Sequence, residues 1–395
     1  MRQILFMLIS LFFLFSCKRE KNQDVYSEDA KIVDINNPTS VAIEDFITDV
    51  DTIRLEVTDS SLLGDIHQIH IMNDKFYILD IKSNAVFIFA RNGDFIKKIS
   101  RVGQGPLEYI KINNMELDYK QKHIIFSDTF SRRIFICDEY GELVDVKNLS
   151  FIPNVILARN NNYLNFYAGY QKVYDSKEME NFNIHILDDN GKFISSLLEN
   201  KTPLRIDVAS TSCIDYDSQS EDLLFQPVFS NCIYKIDTNN VAHVEYVFRN
   251  KSEYKLLNPN EQKKMTYIYD IENTILEKEK EGYLLSWGSI FNLDDYCFFV
   301  MRGWNYPKYI YYEKATGRSV MIDPNKMTGN SALRQIFETT IRQTEGNYFY
   351  TSISSLLVDE LVEKLPEGKL KTFFQNNNTV DSNPLIIKYK MKFPQ

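Results

Sequence analysis

Phe76-Tyr77-Ile78-Leu79-Asp80, then Ala85-Val86-Phe87-Ile88-Phe89, then Asn92-Gly93-Asp94-Phe95-Ile96-Lys97 reads as short strand, short strand and tight turn. The pattern recurs twice. Ile124 to Asp128, Arg133 to Cys137 and Tyr140-Gly141 repeat it, as do Leu164 to Tyr167, Asn183 to Leu187 and Asn190-Gly191. The turn glycines at 93, 141 and 191 are spaced by 48 and 50 residues, Asn239-Asn240 follows after 49, and Thr316-Gly317 comes 77 later, which leaves room for an insertion. Asn-Gly supplies the positive φ that tight hairpins require. A 40–50-residue period with several strands per unit is the signature of a β-propeller. A solenoid would need a strand-plus-helix unit or a much shorter repeat.

Counting outward predicts six blades. The second strand of each falls at 76–80, 124–128, 163–167, 223–227, 297–301 and 348–352. The third falls at 85–89, 132–137, 183–188, 231–237, 308–313 and 386–392. The last of these runs into the C-terminus, so the sixth blade lacks an outer strand. Residues 48–56 form an orphan strand before the first blade. Supplying that strand to the last blade closes the ring and leaves no open seam. The expected fold is therefore all-β: a six-bladed propeller of four-stranded blades over 46–395, with helical insertions near 249–283 and 353–385.

Composition agrees. The 395 residues are 44% hydrophobic and include 24 Tyr and 27 Phe but only 14 Gly, which excludes disorder and collagen and leans toward sheet.

The N-terminus sets an expected address. Arg2 precedes an apolar run from Ile4 to Phe15, the layout of a secretory signal and too short to span a bilayer comfortably. Leu14-Phe15-Ser16-Cys17 resembles a bacterial lipobox, in which Cys17 would be diacylated and become the first mature residue. The plain alternative is an ordinary cysteine after a signal anchor. Residues 1–16 then form a signal peptide and 17–45 a lipid-anchored tether. Two or three acyl chains suffice for stable anchoring. The expected location is the bacterial outer membrane, on its periplasmic or cell-surface side. The net charge of −9 becomes −10 once Arg2 is removed. That argues against nucleic acid, which needs a basic footprint. Cys137, Cys213, Cys232 and Cys297 remain; Cys213–Cys232 is the nearest pair, and four free buried thiols are the alternative.

Arg101-Val102-Gly103-Gln104-Gly105-Pro106-Leu107-Glu108-Tyr109 lies between the first two blades. With Ile53 to Glu56, Leu62 to Ile66, Asp80 and Asn92-Gly93, it resembles the six-bladed β-propeller lipoproteins of Bacteroidetes. Their hallmark is a Gly-Gln-Gly-Pro-x-Glu-Tyr turn, here with Leu107 in place of the commoner Gly. That family is similar to NHL-type and TolB-like propellers in architecture. The resemblance implies a fold and a compartment, and no catalytic residues.

The long segments 249–283, 323–337 and 353–385 are D-to-A or B-to-C connections, which share one face of a propeller. Elaboration on one side of a rigid scaffold is where binding usually resides. On that face the candidate ligand-binding residues are Arg101, Gln104, Glu108, Tyr109, Arg132, Arg133, Arg302, Trp304, Asn305 and Tyr306. Trp304 beside Arg, Asn and Tyr suits stacking on a sugar or aromatic ring. Packing beneath the 353–385 loop is its alternative. Gly103, Gly105 and Pro106 are expected to build the turn, the glycines by positive φ. His67 and His70, three apart on a strand, are expected on opposite faces, and no metal or cofactor is expected. Phosphate-loop, nucleophile-elbow and zinc-protease motifs are absent.

Three functions compete. The leading one is an envelope binding or interaction module, monomeric, whose ligand is a small molecule, glycan or peptide. The alternative is a lyase or hydrolase on glycans or lactones, which requires several ionisable groups converging at the channel mouth. The third is a scaffold that buries a partner.

Overall fold

The computed structural model describes residues 29–35, 39–166, 179, 182–199, 214–217, 221–250, 255–257, 271–285, 289–301, 307–376 and 382–394. Their strands form six antiparallel sheets in a ring. The first blade is β3 to β6: Gln68–Met72, Lys75–Asp80, Ala85–Ala90 and Phe95–Ile99. The second is β7 to β10: Asn114–Asp118, His123–Asp128, Arg133–Asp138 and Leu143–Asn148. The third is β11 to β14: Val155–Arg159, Asn162–Phe166, Phe182–Leu187 and Phe193–Glu199. The fourth is β15 to β18: Ile214–Asp217, Asp222–Phe225, Cys232–Ile236 and Ala242–Asn250. The fifth is β19 to β22: Ser289–Asn292, Tyr296–Met301, Lys308–Glu313 and Ser319–Ile322. The sixth contains β23 (Ile341–Glu345), β24 (Tyr348–Ile353) and β25 (Leu385–Met391).

The outer strand of the sixth blade is β2, Ile47–Ile53, antiparallel to β25. This is the closure expected from the sequence. The seam is then stitched to the first blade: Glu56 N–H donates to the Gly93 carbonyl at 2.8 Å, and the Glu56 carboxylate accepts from Phe95 N–H at 2.7 Å. Phe76, Ile78 and Phe87 of the first blade share one apolar cluster with Tyr350 and Ile386 of the sixth.

The turns follow the sequence signals. Gly93, Gly141, Gly191, Asn240 and Gly317 all have positive φ. Three of these turns share a device: the Oδ1 of Asp138, Asp188 and Asp237 each accepts from two backbone N–H groups of its own turn. The opposite ends of the first two blades share another. Asp80 accepts from Lys82 N–H, Gly64 N–H and the Ser83 hydroxyl; Asp128 accepts from Phe130 N–H, Ile110 N–H and the Ser131 hydroxyl. Both carboxylates are fully buried, so each replaces its lost hydration with backbone and hydroxyl donors.

The tether reading needs correction at its C-terminal end. Lys31–Ile35 form β1, which adds to the fourth blade parallel to β18, and Val33 and Ile35 are fully buried. The chain then bridges Ile322, at the end of the fifth blade, and Thr328, in the connection after it, through Thr39 and Ala42 before reaching the sixth. A segment of five residues shows no period of its own, and only its pairing with β18 makes it a strand. Residues 1–28, including the signal and Cys17, lie outside the described residues.

The insertions are helical: α1 Ile43–Phe46, α2 Ile271–Lys280, α3 Ser331–Glu338, α4 Ser355–Lys364 and α5 Lys369–Asn376. Ile336, Phe337, Val358, Leu361 and Phe374 are buried in one cluster with strand residues of the fifth and sixth blades. These helices are thus fastened down on that face. Among the described residues, no helix is long and apolar enough to cross a membrane. Cys137 and Cys297 are free and buried, and Cys232 is buried; Cys213 lies outside the described residues, so the proposed pairing is not tested.

Candidate functional site: the central channel

The first strands of the six blades surround a channel of about 840 Å³. Its lining includes Met72 to Asp74, Tyr119, Leu293, Asp294 and Thr344 to Gly346, residues of the short A-to-B turns and their strand ends. The channel therefore reaches the face opposite the helical insertions, while His67, Gln68, Thr340 and Ile341 line it at the other ends of the inner strands. Each inner strand presents an unpaired backbone edge to this space, and those edges need partners. Side chains from neighbouring blades provide several. Gln68 Oε1 accepts from Met115 N–H at 2.9 Å, Asp215 Oδ2 from Asn292 N–H at 3.2 Å, and the Arg342 guanidinium donates to the His67 carbonyl at 2.9 Å.

One ionisable pair stands out. His70 on β3 and Glu116 on β7 occupy the central position of adjacent inner strands, and His70 Nε2 lies 3.9 Å from Glu116 Oε2. That is too long for a hydrogen bond. Nε2 is buried without a hydrogen-bond partner, and Asn114 Nδ2 reaches Glu116 Oε1 only at 3.5 Å. Burial pushes the Glu116 carboxyl up to about 8 against a weaker opposing bond from Asn114. Burial also pulls His70 down to about 4, opposed by its bond to the Met115 backbone. Each side chain keeps a small exposure, 14% for His70 and 17% for Glu116, toward the channel. Both shifts favour the neutral forms near pH 7, a carboxylic acid facing a neutral imidazole. Tyr119 and Tyr216 also line the space, and burial raises the Tyr119 phenol far out of its usual range. Around the mouth, Asp74, Asp294 and Glu345 are exposed. Lys314 bonds the Leu293 carbonyl, and Glu345 pairs with Arg91.

The candidates read from the sequence lie elsewhere. In the 101–109 turn, Tyr109 N–H bonds the Arg101 carbonyl and Gly103 N–H bonds the Tyr109 carbonyl, both at 2.9 Å. Tyr109 is fully buried, edge-on to Phe126 and Phe135, with its hydroxyl on the Asn84 carbonyl. It presents no surface to a ligand. Glu108 accepts from Gly105 N–H, and Arg133 clamps the turn by donating to the Gly105 and Pro106 carbonyls. Gln104 is exposed, Arg101 is partly exposed, and Arg132 sits at the second B-to-C loop with φ +54°. Positive φ is not why Gly103 and Gly105 are glycine, since neither has it. A Cβ on Gly103 would lie 1.9 Å from Glu108 Oε2, and one on Gly105 3.1 Å from it. The atoms they would meet are the end of the exposed Glu108 side chain, which lies over both glycines. Arg302, Trp304, Asn305 and Tyr306 lie outside the described residues.

His67 and His70 were expected on opposite faces, yet both line the channel. His67 precedes β3, and an inner strand flanks the channel with both of its faces. Glu116 was missed because Asn114 to Asp118 reads as an ordinary alternating strand. Aligning the inner strands by the repeat would have paired it with His70.

Comparisons with known proteins place the architecture. A Bacteroides fragilis protein described as an exported protein superposes with a TM-score of 0.75 at 16% identity, covering 92% of this chain and all of that one. A Bacteroides vulgatus member of another family of unknown function gives 0.46 at 12% identity over 89% of this chain and 99% of that one. A Staphylococcus aureus virginiamycin B lyase gives 0.41 at 12% identity over 87% of this chain and all of that one. No curated protein matches. The DUF4934 model, described as a domain of unknown function, matches residues 28–390. That span takes in β1 as well as all six blades, and the chain belongs to the DUF4934 family.

Proposed function

We propose that this protein is an exported, lipid-anchored propeller that captures a ligand in its central channel, as a binding module of the cell envelope. The carrying observation is the channel itself. It is within the usual size of a small-molecule site, opens on the unencumbered face, and holds a buried neutral acid beside an unpartnered imidazole nitrogen. Among the described residues the helical face offers less, because the helices at 331–338, 355–364 and 369–376 are packed onto the fifth and sixth blades and the 101–109 turn is closed on itself. The lipobox at Cys17 supports anchoring, and the exported Bacteroides neighbour agrees with the compartment. Finer kinship with NHL-type or TolB-like lipoproteins belongs to the same proposal.

A second reading is favoured by the same pair: a lyase or hydrolase in which Glu116 donates and His70 accepts a proton. Among the described residues no group of three or more His, Cys, Asp or Glu is placed to hold a metal. The binding reading needs only the contacts present and is preferred.

The test is a glycan and peptide array screen of the soluble form lacking residues 1–17, run with His70→Leu and Gln104→Ala. Loss of the hits in His70→Leu, with retention in Gln104→Ala, supports the channel. The reverse pattern refutes it, and turnover of a hit selects the enzymatic reading.

A further inference from the structure

Resting on the channel as the binding site, we propose that its ligand is an uncharged, hydroxyl-rich molecule of the saccharide class, held by one hydroxyl bridging His70 and Glu116. The proton positions follow from the neighbours. His70 Nε2 is buried with no hydrogen-bond partner in the protein, and Met115 gives its N–H to Gln68, which leaves its carbonyl as the acceptor near His70. We therefore assign the imidazole proton to Nδ1, which makes Nε2 a lone pair. Glu116 faces it across 3.9 Å. An oxygen about 2.8 Å from both atoms would subtend roughly 90° there, close to the angle between a hydroxyl's donor and acceptor directions. A hydroxyl meets both demands at once: it donates to Nε2 and accepts from the carboxylic acid. A carboxylate or phosphate oxygen can only accept and leaves Nε2 unsatisfied.

Charge and shape point the same way. Asp74, Asp215, Asp294 and Glu345 line the channel against Lys314 and Arg342, and Glu345 is paired with Arg91. The small acidic excess disfavours anions. Tyr119 and Tyr216 line the channel and supply aromatic surface of the kind a pyranose packs against.

The groups facing the pair are Tyr119, Asn114, Gln68 and His67 from the first two blades, Asp215 and Tyr216 from the fourth, and Arg342 and Glu345 from the sixth.

The experiment is calorimetric titration of the soluble form with glucose, N-acetylglucosamine and cellobiose, with glucuronic acid as the anionic control, from pH 5 to 9. At least one neutral sugar is expected to bind at pH 7, about tenfold or more tighter than glucuronic acid. Its affinity should fall by about tenfold from pH 7 to 9 as Glu116 ionises, one hydrogen bond's worth. Glu116→Gln keeps a neutral donor and should bind at pH 7 without the alkaline loss; His70→Leu should weaken binding about tenfold at every pH. Glucuronic acid binding best, an alkaline loss that persists in Glu116→Gln, or no binding by any neutral sugar overturns the proposal. Array hits of another class that still depend on His70 would leave the channel reading standing while this one falls. Hits indifferent to His70 would remove both.

Discussion

Gly93 and Gly317 occupy the same turn position in the first and fifth blades, and replacing each by alanine should have very different costs. Both have positive φ, +97° and +69°, so each alanine incurs about 1–2 kcal/mol of left-handed strain. Their surroundings differ. At Gly317 an added Cβ would meet only the Tyr312 hydroxyl at 3.5 Å, ordinary contact. At Gly93 it would lie 1.9 Å from the Arg54 carbonyl oxygen and 2.9 Å from its carbon. Those are backbone atoms just beyond β2, the strand that closes the ring, and they cannot rotate away. Displacing them disturbs the Glu56 N–H bond to Gly93 and adds about 1–3 kcal/mol of forced shift. Gly93→Ala should therefore destabilise by about 2–5 kcal/mol, the sum of the two costs, and Gly317→Ala by about 1–2 kcal/mol, the strain alone. Urea unfolding of the soluble form, read side by side by fluorescence and circular dichroism, measures the difference. Equal midpoints for the two variants would refute the close approach at the seam and, with it, the reasoning for closure.

Further outcomes follow from the same geometry. Ile35→Ala should cost about 2–4 kcal/mol, a core truncation, whereas a flexible tether at that position would give no change in the urea midpoint. Asp128→Ala should cost about 3 kcal/mol or more, because Ile110 N–H, Phe130 N–H and the Ser131 hydroxyl lose a buried charged acceptor; a shift in melting temperature no larger than that of a surface alanine would count against it. Tyr109→Phe should cost about 1 kcal/mol and leave array binding unchanged, since its hydroxyl serves Asn84; lost binding would return the 101–109 turn to the ligand site. Glu116 has a sign that can be worked out. Its folded value is raised from 4.5 to about 8, so below pH 4.5 it imposes no cost, and the cost of an ionised buried carboxyl accumulates from there to about pH 8. Glu116→Gln should thus raise the melting temperature at pH 9 and change it little at pH 4.5; a gain confined to acid pH would contradict the burial.

What the sequence revealed was what repetition and local turn chemistry encode. Gly93, Gly141 and Gly191 declared the hairpins because positive φ selects glycine, and the six-blade count followed from an unmatched strand at each end. What it concealed depended on contacts between distant segments. Lys31–Ile35 is a strand only because β18 offers it an edge. Gly103 and Gly105 looked like glycines that serve a positive φ, yet neither has one, and the Glu108 carboxylate lies over both. His70 and Glu116 carry no motif and meet only when two inner strands are brought side by side. Arg133 and Tyr109 drew notice by chemical type, but Arg133 spends its guanidinium on the carbonyls of the 101–109 turn and Tyr109 its hydroxyl on the Asn84 carbonyl.

The central claim is that the ligand sits in the channel, on the face away from the helices. Hydrogen exchange of the soluble form, with and without the tightest array hit, tests it most directly. Slowed exchange is predicted in 68–74, 114–119 and 341–346, with 101–109 unchanged. Slowed exchange confined to 101–109 and the helices at 331–338 and 355–376, with the inner strands unaffected, would contradict it.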